Sequence, residues 1–329
     1  FGNPLLDITK IVQDNDLLQK YGLAENAAII AEQKHLPLFQ ELAKMDDVIY
    51  SAGGACQNSM RVFQWIIDKP FCAYYVGAIG ADDFGKTLAK KATGDGVRTL
   101  YQERDGSPTG TCAVIVKGMN RSLIANLGAA ALFSEEWLKS DEHICYLENA
   151  QFFYVTGFFL AVNVPTVLHV AKLSSENNRT FVFNLSAVFV PESLKAQVDE
   201  VMHYTDILIG NKQEMEAYAK MHKWPITDIV EVGKRLQCMR KCNKRPRIVL
   251  ITDAVRPILC FMENNTLIEY PVPTVEKQDI VDTNGCGDAF VGGFLSQLAQ
   301  GLPIDRAICT GILASQQVIR VVGIQIDQL

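Results

Sequence analysis

The sequence predicts an α/β fold built on a mainly parallel sheet with helices covering both faces. From Phe152 onward, short apolar strands alternate with helical segments, as is typical of parallel strands joined by crossover helices. Two earlier strand-rich stretches interrupt this alternation, and we expect them to form a small β-rich sheet inserted as a lid. The predicted domains are a large α/β domain of residues 1–5, 51–107 and 127–329, and a lid domain of residues 6–50 and 108–126.

Each element is predicted from its own spacing of apolar residues. Strands are indicated by β-branched residues and alternation, and they are predicted at 1–12, 28–31, 71–80, 111–117, 122–127, 152–155, 180–185, 207–211, 247–252 and 259–262. Helices are indicated by apolar residues three and four apart, and they are predicted at 34–44, 60–67, 86–92, 164–173, 194–202, 213–221, 229–239, 289–298 and 304–318. A hairpin turn is predicted at Gly118-Met119-Asn120-Arg121.

Composition places the chain among soluble globular proteins, with 48% hydrophobic and 21% charged residues. Its net charge of −6 argues against a nucleic-acid partner, and we interpret the basic run at 240–247 as a solvated loop before a strand. No stretch approaches the roughly 18 apolar residues of a membrane span, and no signal-peptide pattern opens the chain. Because the sequence starts at Phe1 without Met, we expect residues to precede it.

Nine cysteines, scattered through apolar surroundings, suit a reducing compartment. Cys238 and Cys242 have no second pair and no nearby histidine, so the sequence does not support a zinc site there. We therefore expect a cytoplasmic protein, with the nucleus as a second location. We also expect a monomer without a membrane or nucleic-acid partner.

The stretch from Ile280 to Phe290 has the pattern of a strand end, a glycine turn and a helix start. Gly285 and Gly287 lie where backbone N–H groups emerge at a helix N-terminus, an arrangement that binds anions. Asp288 in the same turn is suited to take a proton from a hydroxyl while the loop steadies a phosphoryl group. An acidic residue favoured by the helix dipole explains the pattern equally well, so both interpretations stand.

A second glycine turn, at Gly53 and Gly54, opens a helix with an apolar face. Paired glycines let a ligand approach the backbone, and Asn58, one turn into the helix, is placed to contact the same ligand. A tight loop before an ordinary amphipathic helix is the alternative. The turn lacks the GxGxxG pattern and the acidic partner of a dinucleotide site, which disfavours a nicotinamide-dependent oxidoreductase.

Three polar residues are predicted to follow strand ends, namely Asn184, Asn211 and Asp288. Parallel sheets bind ligands at that edge, so we expect one shared rim. Asn211 and Glu214 offer an amide oxygen and a carboxylate, which suit Mg²⁺ held directly or through water. The same two residues also fit a capping box, with Asn211 as N-cap and Glu214 at the third helical position.

Arg121 and the pair Phe158-Phe159 each have two interpretations. An arginine at a turn is ordinarily solvated, but a position in the lid would let Arg121 reach a transferring phosphoryl group. The two phenylalanines either stack on a base or belong to the core. No Walker A, HExxH, GxSxG or kinase HRD motif occurs in the sequence.

Seven segments carry a further signal, in this order: Gly2-Asn3-Pro4-Leu5-Leu6-Asp7; Ala52-Gly53-Gly54 with Gln57-Asn58-Ser59; Pro108-Thr109-Gly110-Thr111-Cys112; Asn120-Arg121-Ser122-Leu123-Ile124-Ala125-Asn126-Leu127; Gly157-Phe158-Phe159-Leu160; Asn184-Leu185-Ser186-Ala187; and Asp282-Thr283-Asn284-Gly285-Cys286-Gly287-Asp288-Ala289-Phe290. Over nearly the whole chain they resemble the ribokinase-like family of carbohydrate and nucleoside kinases. The glycine pair and the last segment mark the family, whereas the first, fourth and sixth segments are more specific to its adenosine-phosphorylating members.

This resemblance implies a parallel-sheet α/β domain with a small lid, and phosphorylation of the adenosine 5′-hydroxyl by ATP with Mg²⁺. Asp288 would be the general base. The backbone of Gly285, Cys286 and Gly287 would form the anion hole, and Arg121 would contact the transferred phosphate.

The resemblance divides the remaining residues between adenosine and ATP. Asp7, Gly54 and Asn58 would hold the ribose hydroxyls. The other residues implied on the nucleoside side are Asn3, Leu5, Ile30, Gly53, Cys112, Leu123, Ala125, Phe158, Phe159, Asn184 and Phe189. Asn211 and Glu214 would help hold Mg·ATP, largely through water. The further nucleotide-side residues are Thr252, Asp282, Asn284, Gly285 and Gly287.

Cys286 departs from the family, which normally has alanine there. At a helix N-terminus its thiol pKa is expected to fall, which would make Cys286 an oxidation site. The rival functions are another kinase of this fold, acting on a sugar or a different nucleoside, and a nucleoside-binding protein without turnover. Apolar residues around the implied base site argue against a free sugar, and Asp288 argues against a protein without turnover.

Overall fold

The computed structural model describes residues 1–25, 28–118, 120–225 and 228–326. Its strands are β1 (Leu5–Ile11), β2 (Ala28–Ile30), β3 (Ile49–Gly53), β4 (Tyr74–Gly80), β5 (Arg98–Arg104), β6 (Thr111–Lys117), β7 (Asn120–Asn126), β8 (Phe152–Thr156), β9 (Thr180–Asn184), β10 (Ile207–Asn211), β11 (Ile248–Asp253), β12 (Arg256–Met262) and β13 (Thr266–Tyr270). Its helices are α1 (Asp16–Lys20), α2 (Leu36–Leu42), α3 (Ala55–Ile67), α4 (Asp83–Gly94), α5 (Glu135–Leu138), α6 (Asp141–Asn149), α7 (Gly157–Leu160), α8 (Val164–Glu176), α9 (Phe189–Ser193), α10 (Lys195–Met202), α11 (Lys212–Met221), α12 (Ile229–Cys238), α13 (Cys286–Ala299) and α14 (Ile304–Val318).

The chain forms two compact units, which we name by their place in the sequence. The terminal unit comprises Gly2–Phe133 and the chain from Val275 onward, and the middle unit comprises Phe1 and Ser134–Thr274. None of the described helices combines the length and the apolar composition that crossing a bilayer requires. The lid boundaries given by the sequence stay a prediction.

Five strands of the terminal unit form one sheet in the order β2-β7-β6-β1-β3. β1 is parallel to β6 and antiparallel to β3, and β6 and β7 form an antiparallel hairpin. The strand-rich stretches that lie apart in the sequence therefore share one small sheet, as the sequence indicated. Apolar residues of α1 and α2 pack with inward residues of β1 and β6 into a core that includes Ile8, Leu18, Leu38, Leu42 and Ile115.

Helix α13 packs against α3 and α14 in the terminal unit. Glycine residues of α13 let the helix backbones approach closely. A Cβ added at Gly292 would lie only 2.5 Å from the Ser59 carbonyl oxygen of α3, so no larger residue fits there. A Cβ at Gly293 would lie 2.8 Å from the Thr310 carbonyl oxygen of α14. These contacts fix the position of the start of α13 relative to α3, where the site described below lies.

The middle unit holds a six-stranded sheet in the order β13-β12-β11-β10-β9-β8. The pairings from β8 to β11 are parallel, and β12 and β13 add two antiparallel pairings at one edge. Successive residues Phe181, Val182 and Phe183 of β9 are all fully buried, so both faces of the sheet are covered. Helices α8, α11 and α12 supply part of this cover. The predicted α/β class with helices on both faces is confirmed.

Some predicted elements differ in the structure. The strand expected before the glycine turn at 285 is not formed, because Val281 and Asp282 donate their N–H groups to the Ile319 carbonyl at the end of α14. The predicted hairpin turn is shorter, since Lys117 already pairs with Asn120, and Arg121 is therefore a strand residue rather than a turn residue. Met119, within that predicted turn, lies outside the described residues.

Three strands were absent from the sequence prediction. One is β3 (Ile49–Gly53), which pairs antiparallel with β1. β5 (Arg98–Arg104) pairs in parallel with β4, and β13 (Thr266–Tyr270) pairs with β12. Both carry several polar residues, so neither shows a sustained apolar run. The helix predicted at 34–44 begins as a short 3-10 turn at Gln33–His35 and continues as α2, whose first turn accepts proline because a first-turn N–H has no partner.

Candidate active site

The N-terminus of α13 has the geometry of an anion site. Gly285 is its N-cap in a left-handed conformation with φ of 80°, which glycine adopts without strain. Gly287 is exposed, and a Cβ built there would meet no atom within 4 Å, so the backbone of the first turn is open on that side. The first-turn N–H groups of a helix have no intrahelical acceptor, and the helix dipole favours negative charge beside them.

Asp288 lies in this first turn and is held from the neighbouring helix. Asn58 of α3 donates from Nδ2 to Oδ2 of Asp288 over 3.0 Å. Burial raises the pKa of Asp288 to about 7, the Asn58 amide opposes the rise, and the carboxylate of Asp7 adds to it. A carboxyl group with a pKa near neutrality exchanges protons readily at physiological pH, as a general base must.

Asp7 is placed against the second glycine turn. A Cβ at Gly53 would lie 2.1 Å from Oδ1 of Asp7, and a Cβ at Gly54, whose φ is 91°, would lie 2.3 Å from the Asn3 carbonyl oxygen. Only glycine therefore fits at either position of the turn. Burial raises the pKa of Asp7 to about 6, against the opposing charges of Arg121 and Arg61.

Arg121 forms a buried ion pair with Asp282, next to the glycine loop. Asp282 also accepts hydrogen bonds from the backbone N–H groups of Asn284, at 3.0 Å, and Gly323, at 2.8 Å. Its carboxylate therefore ties β7, the loop before α13 and the chain after α14 together. The interpretation of Arg121 as a solvated arginine is wrong, since 9% of its side chain is exposed.

An apolar cluster lies beside Asp7 in the five-stranded sheet. Cys112 is the register partner of both Asp7 and Ala125, and the cluster also contains Leu5 and Leu123. Asn3 is buried, whereas Ile30 on the edge strand β2 is 61% exposed. The structure thus brings together most of the implied nucleoside-side residues of the terminal unit.

The thiol of Cys286 differs from the sequence expectation. Burial, reinforced by the negative charge of Asp288, raises its pKa to about 12. The expected fall in this pKa from the helix N-terminus is therefore wrong, because removing the thiolate from water and placing it beside a carboxylate outweigh the helix dipole.

In the middle unit, Asn184 and Asn211 end the adjacent parallel strands β9 and β10. They share one rim, as predicted, but Asp288 belongs to the other unit and follows no strand. Asn184 accepts the Ser186 N–H at 3.0 Å and donates to the Tyr154 hydroxyl at 3.2 Å. Its amide thus braces the turn after β9.

Asn211 and Glu214 form the capping box that was one of their two interpretations. Glu214 N–H donates to the Asn211 side-chain oxygen at 2.9 Å, and Asn211 N–H donates to Glu214 Oε2 at 3.0 Å. Asn211 Nδ2 also donates to Glu214 Oε1 at 2.7 Å. Burial raises the pKa of Glu214 to about 7. Thr252 is the register partner of Asn211 on β11.

The two phenylalanines after β8 have different surroundings. Phe159 is fully buried, so it belongs to the core. Phe158 is half-buried, and its ring lies 6.1 Å from that of Phe189, which is 45% exposed. Of the two, only Phe158 is placed to contact a ligand together with Phe189.

No sequence motif pointed to Arg61, which contacts Asn58 from the next turn of α3. Its one signal was a charged residue within the apolar run Met60 to Phe63. A buried arginine in such a run needs partners for its guanidinium, and those partners are not local in sequence.

Comparison with known proteins places this site in a family. The pattern of the "pfkB family carbohydrate kinase" family matches residues 15–329. Adenosine kinase 1 of Arabidopsis thaliana is 41% identical over 320 residues, covering 97% of this chain and 92% of that protein.

Two solved structures share the whole fold. The Anopheles gambiae adenosine kinase in complex with P1,P4-di(adenosine-5) tetraphosphate has a TM-score of 0.89 at 46% identity, covering 97% of this chain and 94% of that one. The Schistosoma mansoni adenosine kinase in complex with adenosine and AMP has a TM-score of 0.87 at 33% identity, covering 98% and 95%. The chain therefore belongs to the pfkB family of carbohydrate kinases and, within it, to the adenosine kinases.

Proposed function

We propose that this protein transfers the γ-phosphoryl group of ATP to the 5′-hydroxyl of adenosine, giving AMP and ADP. The observation that carries the proposal is the carboxylate of Asp288 in the open first turn of α13, held at 3.0 Å by Asn58. A phosphoryl acceptor needs a base and a transferring group needs charge stabilisation, and this turn offers both within one helix start.

Asp288 would take the 5′-hydroxyl proton as the oxygen attacks phosphorus. Phosphoryl transfer depends on in-line placement and charge stabilisation more than on a strong base, so a pKa near 7 is sufficient. The backbone N–H groups of Gly285, Cys286 and Gly287 would hold the charge on the transferring oxygens. Arg121 would add a positive charge after exchanging its ion pair with Asp282 for the phosphoryl group.

Adenosine would bind between Asp7 and the apolar cluster of the five-stranded sheet. The Asp7 carboxylate, beside Gly53 and Gly54, would accept hydrogen bonds from the ribose hydroxyls, and Asn58 would add its amide. Leu5, Cys112, Leu123 and Ala125, with Asn3 and Ile30, would contact the base. Phe158, Phe189 and Asn184 complete the proposed nucleoside set. This apolar surface favours a nucleoside over a free sugar, which would need more polar partners.

Asn211, Glu214 and Thr252 are proposed on the side of ATP, with Asn284. Both oxygens of Glu214 already accept hydrogen bonds from Asn211, so this pair fits a Mg²⁺ ion held through water rather than by direct bonds. When bound, Mg²⁺ would neutralise charge on the phosphates. Asp282 would act on the nucleotide side through Arg121 and Asn284.

The coarser features of the sequence prediction complete the proposal. We propose that residues 6–50 and 108–126 act as a lid that excludes water from the reaction. We also propose a monomer with a cytoplasmic location and a second location in the nucleus. Gel filtration and localisation of a tagged full-length chain test these last points.

The proposal is tested by measuring ADP release with Mg·ATP and adenosine, inosine, guanosine, ribose or fructose. We expect turnover with adenosine far above the others, and a preference for a sugar or another nucleoside would replace the proposal with that alternative. Asp288→Asn should lower kcat by about 10³-fold or more with little change in adenosine affinity. Asp279→Asn, an exposed neighbour outside the site, is the matched control and should keep native turnover.

A further inference from the structure

Arg61 is a buried arginine whose guanidinium connects four separate parts of the terminal unit. Only 4% of the residue is exposed. Nε donates to Asp95 Oδ2 at 2.5 Å, NH1 to the Ala52 carbonyl oxygen at 2.6 Å, and NH2 to the Ile324 carbonyl oxygen at 2.8 Å. NH1 also faces the side-chain oxygen of Asn58 at 3.4 Å. The contacts span the end of β3, the end of α4, and the chain beyond α14.

The contact with Asn58 determines which way that amide points. A guanidinium has only donors, so it can pair with the oxygen of Asn58 and not with the nitrogen. Turning the oxygen toward Arg61 leaves Nδ2 facing Asp288, where it donates over 3.0 Å. The reversed amide would put two donors together at Arg61 and an oxygen against the Asp288 carboxylate, which is unfavourable on both sides.

Through Ile324, the same arginine is also connected to the glycine loop at the start of α13. Ile324 side-chain atoms would lie 3.0 Å from a Cβ built on Gly285, so this residue packs directly against the N-cap of α13. Because Arg61 donates a hydrogen bond to the Ile324 carbonyl oxygen, it stabilises the segment that packs against Gly285. Asp95 in turn pairs with the arginine charge, which would be costly to bury alone.

We propose that Arg61 is a positioning residue for phosphoryl transfer: it fixes the Asn58 amide toward Asp288 and secures the segment at Ile324 behind Gly285. This inference rests on the function proposed above. Arg61 itself need touch neither adenosine nor ATP, since it acts through Asn58 and the loop.

The inference predicts a change in how Asp288 titrates. The groups that face Asp288 are the Asn58 amide and Cys56 from α3, Asp7 from β1, and Cys286 from its own helix. Asp7 is in turn faced by the positive charges of Arg61 and Arg121. Of these, the Asn58 amide lowers the pKa of Asp288, so misorienting that amide should raise this pKa further.

Arg61→Lys is the informative variant, because lysine keeps the positive charge that acts on Asp7 but cannot make all of the hydrogen bonds of the planar guanidinium. We expect kcat to fall about tenfold, and the acidic limb of the kcat profile to move to a pH about 0.5 higher. Arg247→Lys is the matched control. Arg247 is also buried and donates to the Thr205 and Leu236 carbonyls in the middle unit, so this variant should lose thermal stability without moving the pH profile.

A double-mutant cycle tests whether Arg61 acts through Asn58. In the Asn58→Ala background, Arg61→Lys should shift the acidic limb no further. An unmoved profile in the single variant, or an undiminished shift in the Asn58→Ala background, would overturn the inference. If Arg61→Lys does not fold, Asp95→Asn loosens the same arginine and should shift the profile in the same direction; no shift would overturn the inference as well.

Titration of Asp288 by carboxyl-carbon NMR separates this inference from the proposed function. The signal is assigned by its loss in Asp288→Asn and needs no substrate. A higher pKa in Arg61→Lys than in the native chain supports the inference even if no nucleoside is phosphorylated, and an equal pKa overturns it. Absence of ADP release by the native chain contradicts the proposed function alone.

Discussion

Replacing Gly292 with alanine tests whether the close approach of α3 and α13 sets the catalytic geometry. The new Cβ would lie 2.5 Å from the Ser59 carbonyl oxygen and 2.8 Å from Cβ of Val62. The first distance is about 0.9 Å short of ordinary contact, and the obstacle is backbone rather than a flexible side-chain end. The two helices must therefore separate, and Asn58 lies one residue before Ser59.

The size of the effect follows from that separation. If Asn58 moves away from Asp288 by most of this 0.9 Å, the distance between its Nδ2 and Asp288 Oδ2 increases from 3.0 Å to more than 3.5 Å, where the hydrogen bond is lost. We expect kcat to fall about 30- to 100-fold, since misplacement of about 1 Å has that effect on catalysis. Overpacking should also reduce the free energy of unfolding by about 1–3 kcal/mol.

A matched substitution separates geometry from stability. Gly293→Ala introduces a comparable clash, with its Cβ 2.8 Å from the Thr310 carbonyl oxygen, but against α14 rather than α3. Urea unfolding should show similar destabilisation for both variants, while ADP release should be much slower only for Gly292→Ala. Equal kcat values for the two variants, or near-native kcat in Gly292→Ala, would refute the reasoning.

Four further predictions concern the ionisable groups of the site. Because the ionised carboxylate of Asp288 is the proposed base and its pKa is raised to about 7, kcat should fall as the pH drops through about 7; a flat profile from pH 6 to 8 would contradict this. The raised pKa of Asp288 also means that the free energy of unfolding decreases as the pH rises from about 4 to 7. Asp288→Asn should therefore be about 1–2 kcal/mol more stable than the native chain at pH 8, measured by urea unfolding. Cys286→Ala should leave the rate of inactivation by thiol reagents unchanged, because the native thiol is protonated at neutral pH. Asp282→Asn should lower the free energy of unfolding by about 3 kcal/mol, with Arg121→Met in the same chain restoring part of it, since the first change leaves a buried cation without its partner.

Local patterns were sufficient to predict the elements that carry the site. The start of α13 at Cys286, the glycine turn before α3 and the parallel strands β9 and β10 follow from apolar spacing and glycine position. The capping box of Asn211 and Glu214 is equally local, because its partners are three residues apart. The strand predicted before the glycine turn at 285 failed because its backbone donors bond to Ile319, a contact that no local pattern shows.

The chemistry of the site depends on contacts that local patterns do not contain. Asn58 and Asp288 are 230 positions apart, and their hydrogen bond exists because Gly292 lets α13 approach α3 at backbone distance. The thiol pKa of Cys286 was predicted with the wrong sign because a helix terminus is visible in the sequence, whereas the burial of the thiol, which is the main cause of the rise, is not.

The buried polar groups around Asp288 also explain why the site needs Arg61. Burial raises the pKa of both Asp7 and Asp288, and the charge of Asp7 adds to the cost of ionising Asp288. A neutral amide can stabilise one of them only if its nitrogen faces the carboxylate, and an amide that is free to turn gives no such guarantee. A guanidinium behind Asn58 removes the alternative orientation, so that Asp288, the proposed base, is held by a donor whose direction is determined before adenosine binds.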